Sequence, residues 1–363
     1  MKKIRIIPLL IYFISFAGFA QNKSAQVLID EGVKLHDESQ YRQAIQKFEE
    51  ALRVNPQSTK AMYELALSYL KSKDYRNASK FSTQVINSND KSLSVGAYTI
   101  KSESLAAMNQ IDNAIALLQE GLQKNGDNYL MRFNLALNYY KKKDLDKTLE
   151  NVGRAIELNK NTSGAFLLDA YANKDKTYWV RSILSFQMFL LLEPDSRRSK
   201  NAFEELLQTM LIKPTSGRPV ERSFIQQQLM KDTPETVLFP HEIPPLSIYD
   251  GLNRNFVYHA ITSTLDSLKS VNKDTDLFVA FKQVNRSIIK VMERESRNNK
   301  EGNFWSFYVP FFSSIINSKH YDTYCRYISV SYFDESMEWW KNNKPKAEEF
   351  INWFEKGDNK DKR

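Results

Sequence analysis

The sequence has a single cysteine, Cys325, among 363 residues. An intramolecular disulfide requires two cysteines, so the fold is expected to be stable through packing alone in any redox compartment. Glycine is also scarce, with 11 in the whole chain, and no glycine-rich phosphate-binding loop is present. These absences exclude a disulfide-stabilised small scaffold and a nucleotide site of the glycine-loop type.

Residue patterns of catalytic and metal sites are missing as well. His241-Glu242 resembles the start of a metalloprotease helix, but Pro245 occupies the position of the second histidine. His320 and Cys325 lie five residues apart, on different faces of a helix, and no neighbouring group activates either. The four histidines show no metal-ligand spacing: His36, His241, His259 and His320. We therefore expect no enzyme, no metal and no cofactor. An enzyme with an unrecognised helical active site stays as a third hypothesis.

The distribution of charge along the sequence argues against nucleic acid as a partner. The formal net charge is +8, part of which comes from Lys2, Lys3 and Arg5 at the N-terminus. The remaining charges of both signs are interspersed, as on ordinary solvated helix faces. Binding to nucleic acid would call for a clustered basic stripe, so no nucleic-acid partner is expected.

The first 20 residues have the composition of a secretory signal. The three basic residues precede an apolar stretch, Ile6–Ala17, and Gly18-Phe19-Ala20 supplies the small residues of a cleavage site. The stretch is shorter than the ~20 residues that a membrane-spanning helix needs. The sequence predicts a signal peptide over 1–20, cleavage after Ala20, no membrane span thereafter, and export to the periplasm or the extracellular space. An uncleaved N-terminal anchor is the alternative.

A repeated pattern organises the chain from Ala25 onward. Residues 25–58 predict two amphipathic helices joined by a polar turn, and the pattern returns in 59–92, 95–128, 129–162 and 163–196. Long side chains at a helix crossing would push the two axes apart. The eighth and twentieth places of all five units hold small residues: Gly32, Ala66, Ser102, Ala136 and Ala170, then Ala44, Ala78, Ala114, Thr148 and Ser182.

This register resembles the tetratricopeptide repeat (TPR) family. The resemblance covers 25–212, including a capping helix expected over Arg198–Leu211. The proline usual at the thirty-second place is present as Pro56 but is replaced in three units, by Asp90, Gly126 and Lys160. The resemblance implies an all-α solenoid, a right-handed superhelix whose first helices line a concave groove.

The same resemblance implies which residues face the groove. The fifth and ninth places, with one twelfth place, hold Ile29, Val33, Tyr63, Leu67, Thr99, Glu103, Phe133, Leu137, Tyr140, Leu167 and Tyr171. The family's clamp for acidic C-terminal peptides needs Lys and Asn where Ile29 and Val33 stand, so that ligand is excluded. An apolar and aromatic groove suits a partner helix or an extended peptide. The alternative is that the C-terminal region of this chain fills the groove.

Prolines concentrate in 213–247, which we interpret as a boundary segment, and Val237–Ser247 is expected to be extended. Beyond it, 248–363 predicts an all-helical domain with no family resemblance. Six aromatic residues lie between Phe304 and Phe312. They indicate either a platform for sugar or peptide or, as we favour, a compact core. The candidate helices are Ile248–Val271, Thr275–Arg297, Phe304–Asn317 (kinked at Pro310), Tyr321–Tyr332, Glu335–Asn342 and Lys346–Glu355.

Together these features predict an exported, non-enzymatic scaffold that binds a protein or peptide through the concave face. A second hypothesis is a structural subunit of an envelope assembly, with a self-filled groove and a docking C-terminal domain.

Overall fold

The computed structural model describes residues 24–213, 252–272, 275–298, 302 and 304–356. The predicted signal peptide and Val237–Ser247 lie outside these ranges, as does the boundary segment 213–247 except for Lys213. Within the described residues all regular structure is helical, so the predicted all-α class is confirmed. None of the described helices is long and apolar enough to cross a membrane.

The helices of the repeat region follow the predicted order. They are α1 (Ala25–Asp37), α2 (Tyr41–Val54), α3 (Thr59–Lys71), α4 (Tyr75–Asn87), α5 (Lys91–Ala107), α6 (Ile111–Asn125), α7 (Tyr129–Lys141), α8 (Leu145–Leu158), α9 (Ser163–Asp175), α10 (Trp179–Leu192) and α11 (Arg197–Thr209). The helix α5 begins four residues before the third unit expected at Val95. The capping helix expected over Arg198–Leu211 is α11.

The C-terminal helices follow the predicted order, but the helix expected over Tyr321–Tyr332 ends at Tyr327. They are α12 (Arg254–Val271), α13 (Leu277–Glu295), a π-helical turn (Phe304–Tyr308), α14 (Val309–Asn317), α15 (Tyr321–Tyr327), α16 (Asp334–Asn342) and α17 (Lys344–Lys356). A kink was expected at Pro310. The structure has a π-helical turn there, which ends two residues before this proline. Pro310 has no backbone N–H to donate to Ser306, so the regular hydrogen-bond ladder is interrupted there.

One backbone turn closes the first helix of every repeat. In the first repeat Ser39 has a φ of 62°, and the N–H of Gln40 donates to the carbonyl of Leu35 at 2.8 Å. This is a Schellman turn, in which a left-handed residue ends the helix and the next N–H bonds back five residues. The same bond recurs in the other four repeats, after Lys73, Asn109, Lys143 and Thr177, all with positive φ. Its fivefold recurrence shows that the sequence repeat is a structural repeat.

The helices form two compact units. One ends at Ser104, within α5, and the other begins at Leu105. The first unit therefore holds α1 to α4 and most of α5, and the second holds α6 to α17. The second unit joins the last repeats and the C-terminal helices around one continuous core.

The core of the first unit is built from the predicted small residues and the large ones beside them. Gly32 and Ala44 are buried, and Phe48 packs against both helices of the first hairpin with no exposed surface. A side chain on Gly32 would collide with that ring, since its Cβ would lie 2.5 Å from Phe48 Cε1. Ala66 and Ala78 occupy the corresponding places in the second hairpin and are equally buried. Small residues thus permit the close helix crossings.

The core of the second unit is centred on α9 and α10. Both helices are buried on every side, with continuous runs of buried residues such as Ala165–Leu168 and Ser182–Leu191. A helix enclosed on all sides must be covered by more than its neighbouring repeat. The cover includes residues of the C-terminal helices, among them Phe281, Phe312 and Tyr324. Most of the aromatic residues between Phe304 and Phe312 are buried here, as the core interpretation predicts.

Candidate functional site

The predicted groove residues of the first unit lie at different depths. Ile29 is buried at 2% exposure, whereas Val33, Tyr63 and Leu67 are partly exposed. Thr99 is buried on α5. Glu103, also on α5, is exposed. The first helices of this unit therefore present an accessible surface of two aliphatic side chains and one tyrosine, Val33, Leu67 and Tyr63, which we call the open face.

Tyr63 lies against a glycine of the next repeat. A Cβ built on Gly96 of α5 would be 2.5 Å from Tyr63 Oη and 2.6 Å from Cε2, so the ring occupies side-chain space that Gly96 leaves empty. Among the described residues no group forms a hydrogen bond with the Tyr63 hydroxyl. Burial, with a smaller contribution from Glu64, raises the pKa of Tyr63, so its hydroxyl keeps its proton at neutral pH.

One polar link joins the first two repeats beside this surface. His36 Nδ1 lies 2.8 Å from Ser68 Oγ, connecting α1 to α3. Burial lowers the pKa of His36, which favours the neutral ring. Ser68 is fully buried, so the pair serves packing between repeats.

The second-unit residues predicted for the groove are mostly enclosed. Leu167 is 0% exposed, Tyr171 1% and Tyr140 2%, while Phe133 and Leu137 are partly buried against the same core. Tyr140 donates a hydrogen bond to Asp175 Oδ2 at 2.6 Å. These three buried residues form no open surface in this structure, in contrast to their counterparts in the first unit.

Three contacts show how the C-terminal region encloses the fifth repeat. The rings of Phe166 and Tyr308 meet edge to face, with centroids 6.3 Å apart. Tyr324 donates a buried hydrogen bond to Gln187 Oε1 at 2.8 Å. The Arg181 guanidinium lies 5.3 Å from the centre of the Phe304 ring. These contacts come from the π-helical turn and α15, so two separate C-terminal elements hold α9 and α10.

A polar cluster that the sequence did not reveal lies at this contact. Ser185 donates to Asp169 Oδ2 at 2.5 Å, and Tyr308 is buried close enough for the Asp169 charge to raise the pKa of its hydroxyl, although burial itself is the larger cause. Burial raises the pKa of Asp169, while the bond from Ser185 and the charge of Arg181 oppose that rise. The available signal was the presence of polar residues, Asp169 and Ser185, within the mostly apolar stretches of α9 and α10. The cluster fixes the docking of Tyr308 and contains no activated nucleophile.

Neither Cys325 nor His320, the two residues considered as a catalytic pair, lies in an arrangement that would make it reactive. Cys325 is completely buried, and burial raises the pKa of its thiol to about 12. His320 is buried beside the ring of Trp353, at a centroid distance of 5.2 Å. Within the described ranges no group of three or more His, Cys, Asp or Glu side chains could hold a metal ion. His241 and Glu242 lie outside those ranges.

A surface depression of about 400 Å³ lies between α7 and α8. Its two arginines, Arg132 and Arg154, both donate to Asp127, at 2.6 and 2.7 Å. Glu150 and Glu157 line the same depression. Because the guanidinium groups already have a carboxylate partner and two more carboxylates stand beside them, the depression does not favour an anion.

Comparison with known families identifies the repeat. A family model described as "Anaphase-promoting complex, cyclosome, subunit 3" matches residues 37–121, which span the end of the first helix to α6. The match falls on the residues whose helix crossings and Schellman turns recur. This match is of the tetratricopeptide-repeat type and supports the resemblance seen in the sequence.

Solved TPR proteins are similar to the repeat region. A thermophilic TPR protein of Thermus thermophilus shares 20% identity, covering 52% of this chain and 100% of its own, with a TM-score of 0.45. YrrB, described as a TPR protein with an unusual peptide-binding site, shares 16% identity over 48% of this chain and 89% of its own, at 0.37. Pseudomonas aeruginosa PilF shares 18% identity over 52% and 84%, at 0.45. No curated protein matches the sequence.

Proposed function

We propose that this chain is a non-enzymatic protein-binding scaffold of the cell envelope, and that it binds its partner through the open face of the first unit. The observation that carries the proposal is a difference in exposure at matching repeat places. Val33, Tyr63 and Leu67 are partly exposed in the first unit, while Leu167 and Tyr171 are enclosed in the second. Only the first set is accessible to a partner.

The chemistry of the open face supports an apolar ligand. Val33 of α1 and Leu67 of α3 offer aliphatic surface on two first helices, and the Tyr63 ring adds a rigid aromatic surface. Apolar side chains of a partner helix or peptide would bury this surface and gain about 25 cal/mol for each Å² removed from water. The proposal is therefore an apolar helix or peptide, bound by α1, α3 and α5.

Burial of the groove residues in the second unit favours a structural role for the repeats of that unit. Its predicted groove residues Leu167 and Tyr171 are buried in a core that also contains residues of the C-terminal helices, which favours the self-filled alternative. A second candidate function follows, in which the second unit docks into an envelope assembly. Phe307, Phe311 and Phe354 remain partly exposed on that unit and would be its contact surface.

Location in the envelope is part of the proposal and rests on residues 1–20 alone. Export with cleavage after Ala20 would place Gln21 at the mature N-terminus. Mass spectrometry of the protein purified from its native host tests this. A mature N-terminus at Gln21 supports export, and a retained Met1 contradicts cleavage.

The binding proposal is tested by crosslinking in the native envelope followed by pull-down, with quantitative mass spectrometry. Leu67→Glu places a charge on the open face and should reduce recovery of the specific partner at least about tenfold, because the charge must be desolvated. Val54→Glu is the matched control, since Val54 is 51% exposed at the end of α2 and occupies no groove place. Phe133→Ala, in the second unit, should have a smaller effect than Leu67→Glu.

Equal recovery of every partner by wild type, Leu67→Glu and Val54→Glu would contradict the open face as the binding surface. Loss on substitution of Phe311 and Phe354 instead, with Leu67→Glu unaffected, would favour the second candidate function.

A further inference from the structure

We infer that α17 is held over the C-terminal core by a neutral His320 and is released when the His320 ring takes up a proton. The inference goes beyond the proposed function, because it concerns regulation by pH and not the binding of a partner. It uses residues of the second unit alone, so it can fail while the open face still binds, and the reverse holds as well.

His320 lies beneath α17, in the residue that precedes α15. It is 5% exposed, and its ring packs against Phe350 and Trp353 of α17, with centroid distances of 6.3 and 5.2 Å. No described side chain forms an ion pair with this ring. A proton on His320 would therefore place a positive charge under α17 without a bonded carboxylate, and a buried charge without a partner is costly.

Aromatic packing attaches α17 to the rest of the second unit. Phe350 is 1% exposed, and its ring centroid lies 6.4 Å from that of Tyr324 and 5.6 Å from that of Tyr327. Phe354 meets the Phe311 ring edge to face, at a centroid distance of 6.1 Å. Since α17 is the last of the described helices, it can move away without displacing a described helix that follows it. A charge within this aromatic layer therefore acts directly on the attachment of α17.

The charged groups near His320 oppose one another. Burial is the largest influence on the pKa of His320 and lowers it, the Glu349 carboxylate raises it, and Lys319 lowers it, so the net pKa is below the usual 6.5. Glu349 pairs with Lys319, which lowers the pKa of that carboxyl and keeps it ionised in mild acid. Tyr324 keeps its proton, because burial raises its pKa. His320 is therefore the group of this layer whose charge changes between neutral pH and mild acid.

Acid should favour the released state of α17. A released His320 is solvated and titrates near about 6.5, whereas the docked ring has a lower pKa. Below about pH 6.5 the released state thus binds more protons, and the stability of docking is lost as pH falls toward the docked pKa. One proton can raise the ratio of released to docked α17 by at most about tenfold for each pH unit. Release would uncover the sides of Phe311 and Tyr327 that Phe354 and Phe350 cover.

Hydrogen exchange of the full chain, followed by mass spectrometry, measures the release. Exchange is recorded between about pH 7.5 and about pH 5.5 and corrected for the intrinsic rate at each pH. Peptides from 344–356 should lose protection several-fold as the pH falls, while peptides from α10 should not. His320→Gln keeps a polar side chain that takes up no proton, so its protection in 344–356 should not depend on pH. His259→Gln is the matched control, since His259 is exposed on α12, and it should behave as wild type does.

Two further measurements follow the ring and the uncovered surface. The sequence has four histidines, so selective labelling for NMR allows the His320 ring to be titrated, with His320→Gln giving the assignment. Its midpoint should lie below that of the same ring in the denatured chain. The fluorescence of anilinonaphthalene sulfonate, which binds exposed apolar surface, should rise over the same pH range in wild type and not in His320→Gln.

Three outcomes would overturn the inference. The first is a His320 midpoint at or above that of the denatured chain, and the second is protection of 344–356 in wild type that does not change with pH. The third is an equal loss of protection in wild type and His320→Gln, because another group would then be titrating. If His320→Gln does not fold, the exchange of wild type and the NMR titration, assigned through His259→Gln and the other histidine variants, still decide. None of these outcomes alters the result expected for Leu67→Glu.

Discussion

Phe48 occupies the space that a side chain at Gly32 would need, with Cε1 only 2.5 Å from the position of the missing Cβ. The ring has no exposed surface and cannot move toward solvent. The other repeats use alanine or serine at the eighth place. The first hairpin therefore depends on glycine itself.

Gly32→Ala should destabilise the first unit by about 1 to 3 kcal/mol, because the added methyl group overpacks a closed core. Urea denaturation followed by circular dichroism measures the change. Gly153→Ala, with open space around the Cβ, should instead stabilise its helix by about 0.5 to 1 kcal/mol. Similar effects of both substitutions would show that the Phe48 ring can shift with little loss of stability.

The Schellman turns lead to a second prediction. Thr177 has a φ of 64°, a conformation that is costly for a β-branched residue, and it is exposed. Thr177→Gly should stabilise the protein by about 1 kcal/mol, seen as a higher melting temperature. Asn109→Gly should change stability by only a few tenths of a kcal/mol, since asparagine tolerates the left-handed region. Equal shifts for the two would argue against backbone strain as the cause.

Cys325 should be inert in the folded protein. Its thiol is fully buried, and burial raises its pKa to about 12, so at pH 8 the reactive thiolate is about 1000-fold rarer than in an unperturbed cysteine. Ellman's reagent should find no reactive thiol in the native chain and one after denaturation in guanidinium. Rapid reaction of the native protein would contradict the enclosed position of α15.

Acid should weaken the link between α11 and the C-terminal region. Glu204 accepts bonds from Lys213 at 2.7 Å and from Tyr332 at 2.5 Å. Burial acts to raise the pKa of Glu204, but these two bonds outweigh it and the net pKa is lowered. A carboxyl group with a lowered folded pKa stabilises the fold above its unfolded value, near 4.3, and loses that contribution as pH falls below it.

Glu204→Gln should therefore flatten the dependence of the unfolding free energy on pH below about 4.3, while lowering stability at pH 7. Tyr332→Phe removes one donor and should give a smaller change of the same sign. Denaturant titrations at a series of pH values measure both. An unchanged pH dependence in Glu204→Gln would show that other carboxyl groups determine how the unfolding free energy varies with pH.

Much of the repeat fold could be predicted from local chemistry. Small residues such as Ala66 and Ala78 mark the helix crossings because close packing excludes larger ones. Ser58 caps α3 because its hydroxyl accepts the N–H of Ala61 at 3.3 Å, and serine is a common residue at this position. These features depend on residues in one hairpin or at its junction, so sequence spacing alone reveals them.

The enclosure of the fifth repeat was harder to predict. Its groove places follow from the family register, which says nothing about a second layer of helices. A signal was nevertheless present, because α10 is apolar on every side, from Trp179 to Leu192. The hydrogen-bond partner of Gln187 is Tyr324, which lies more than a hundred residues away, and no spacing rule connects the two. The open face could be predicted as apolar, but the free hydroxyl of Tyr63 required the position of Gly96.

The burial of α9 and α10 on every side has a consequence for how the chain folds during its synthesis. A ribosome completes residues 163–192 well before it reaches Phe304, Tyr308 and Tyr324, which cover them. Until those residues emerge, the nascent chain carries two apolar helices without their cover, and such surfaces attract chaperones and aggregate. The first unit, whose core closes within its own residues, can fold while the second is still being made.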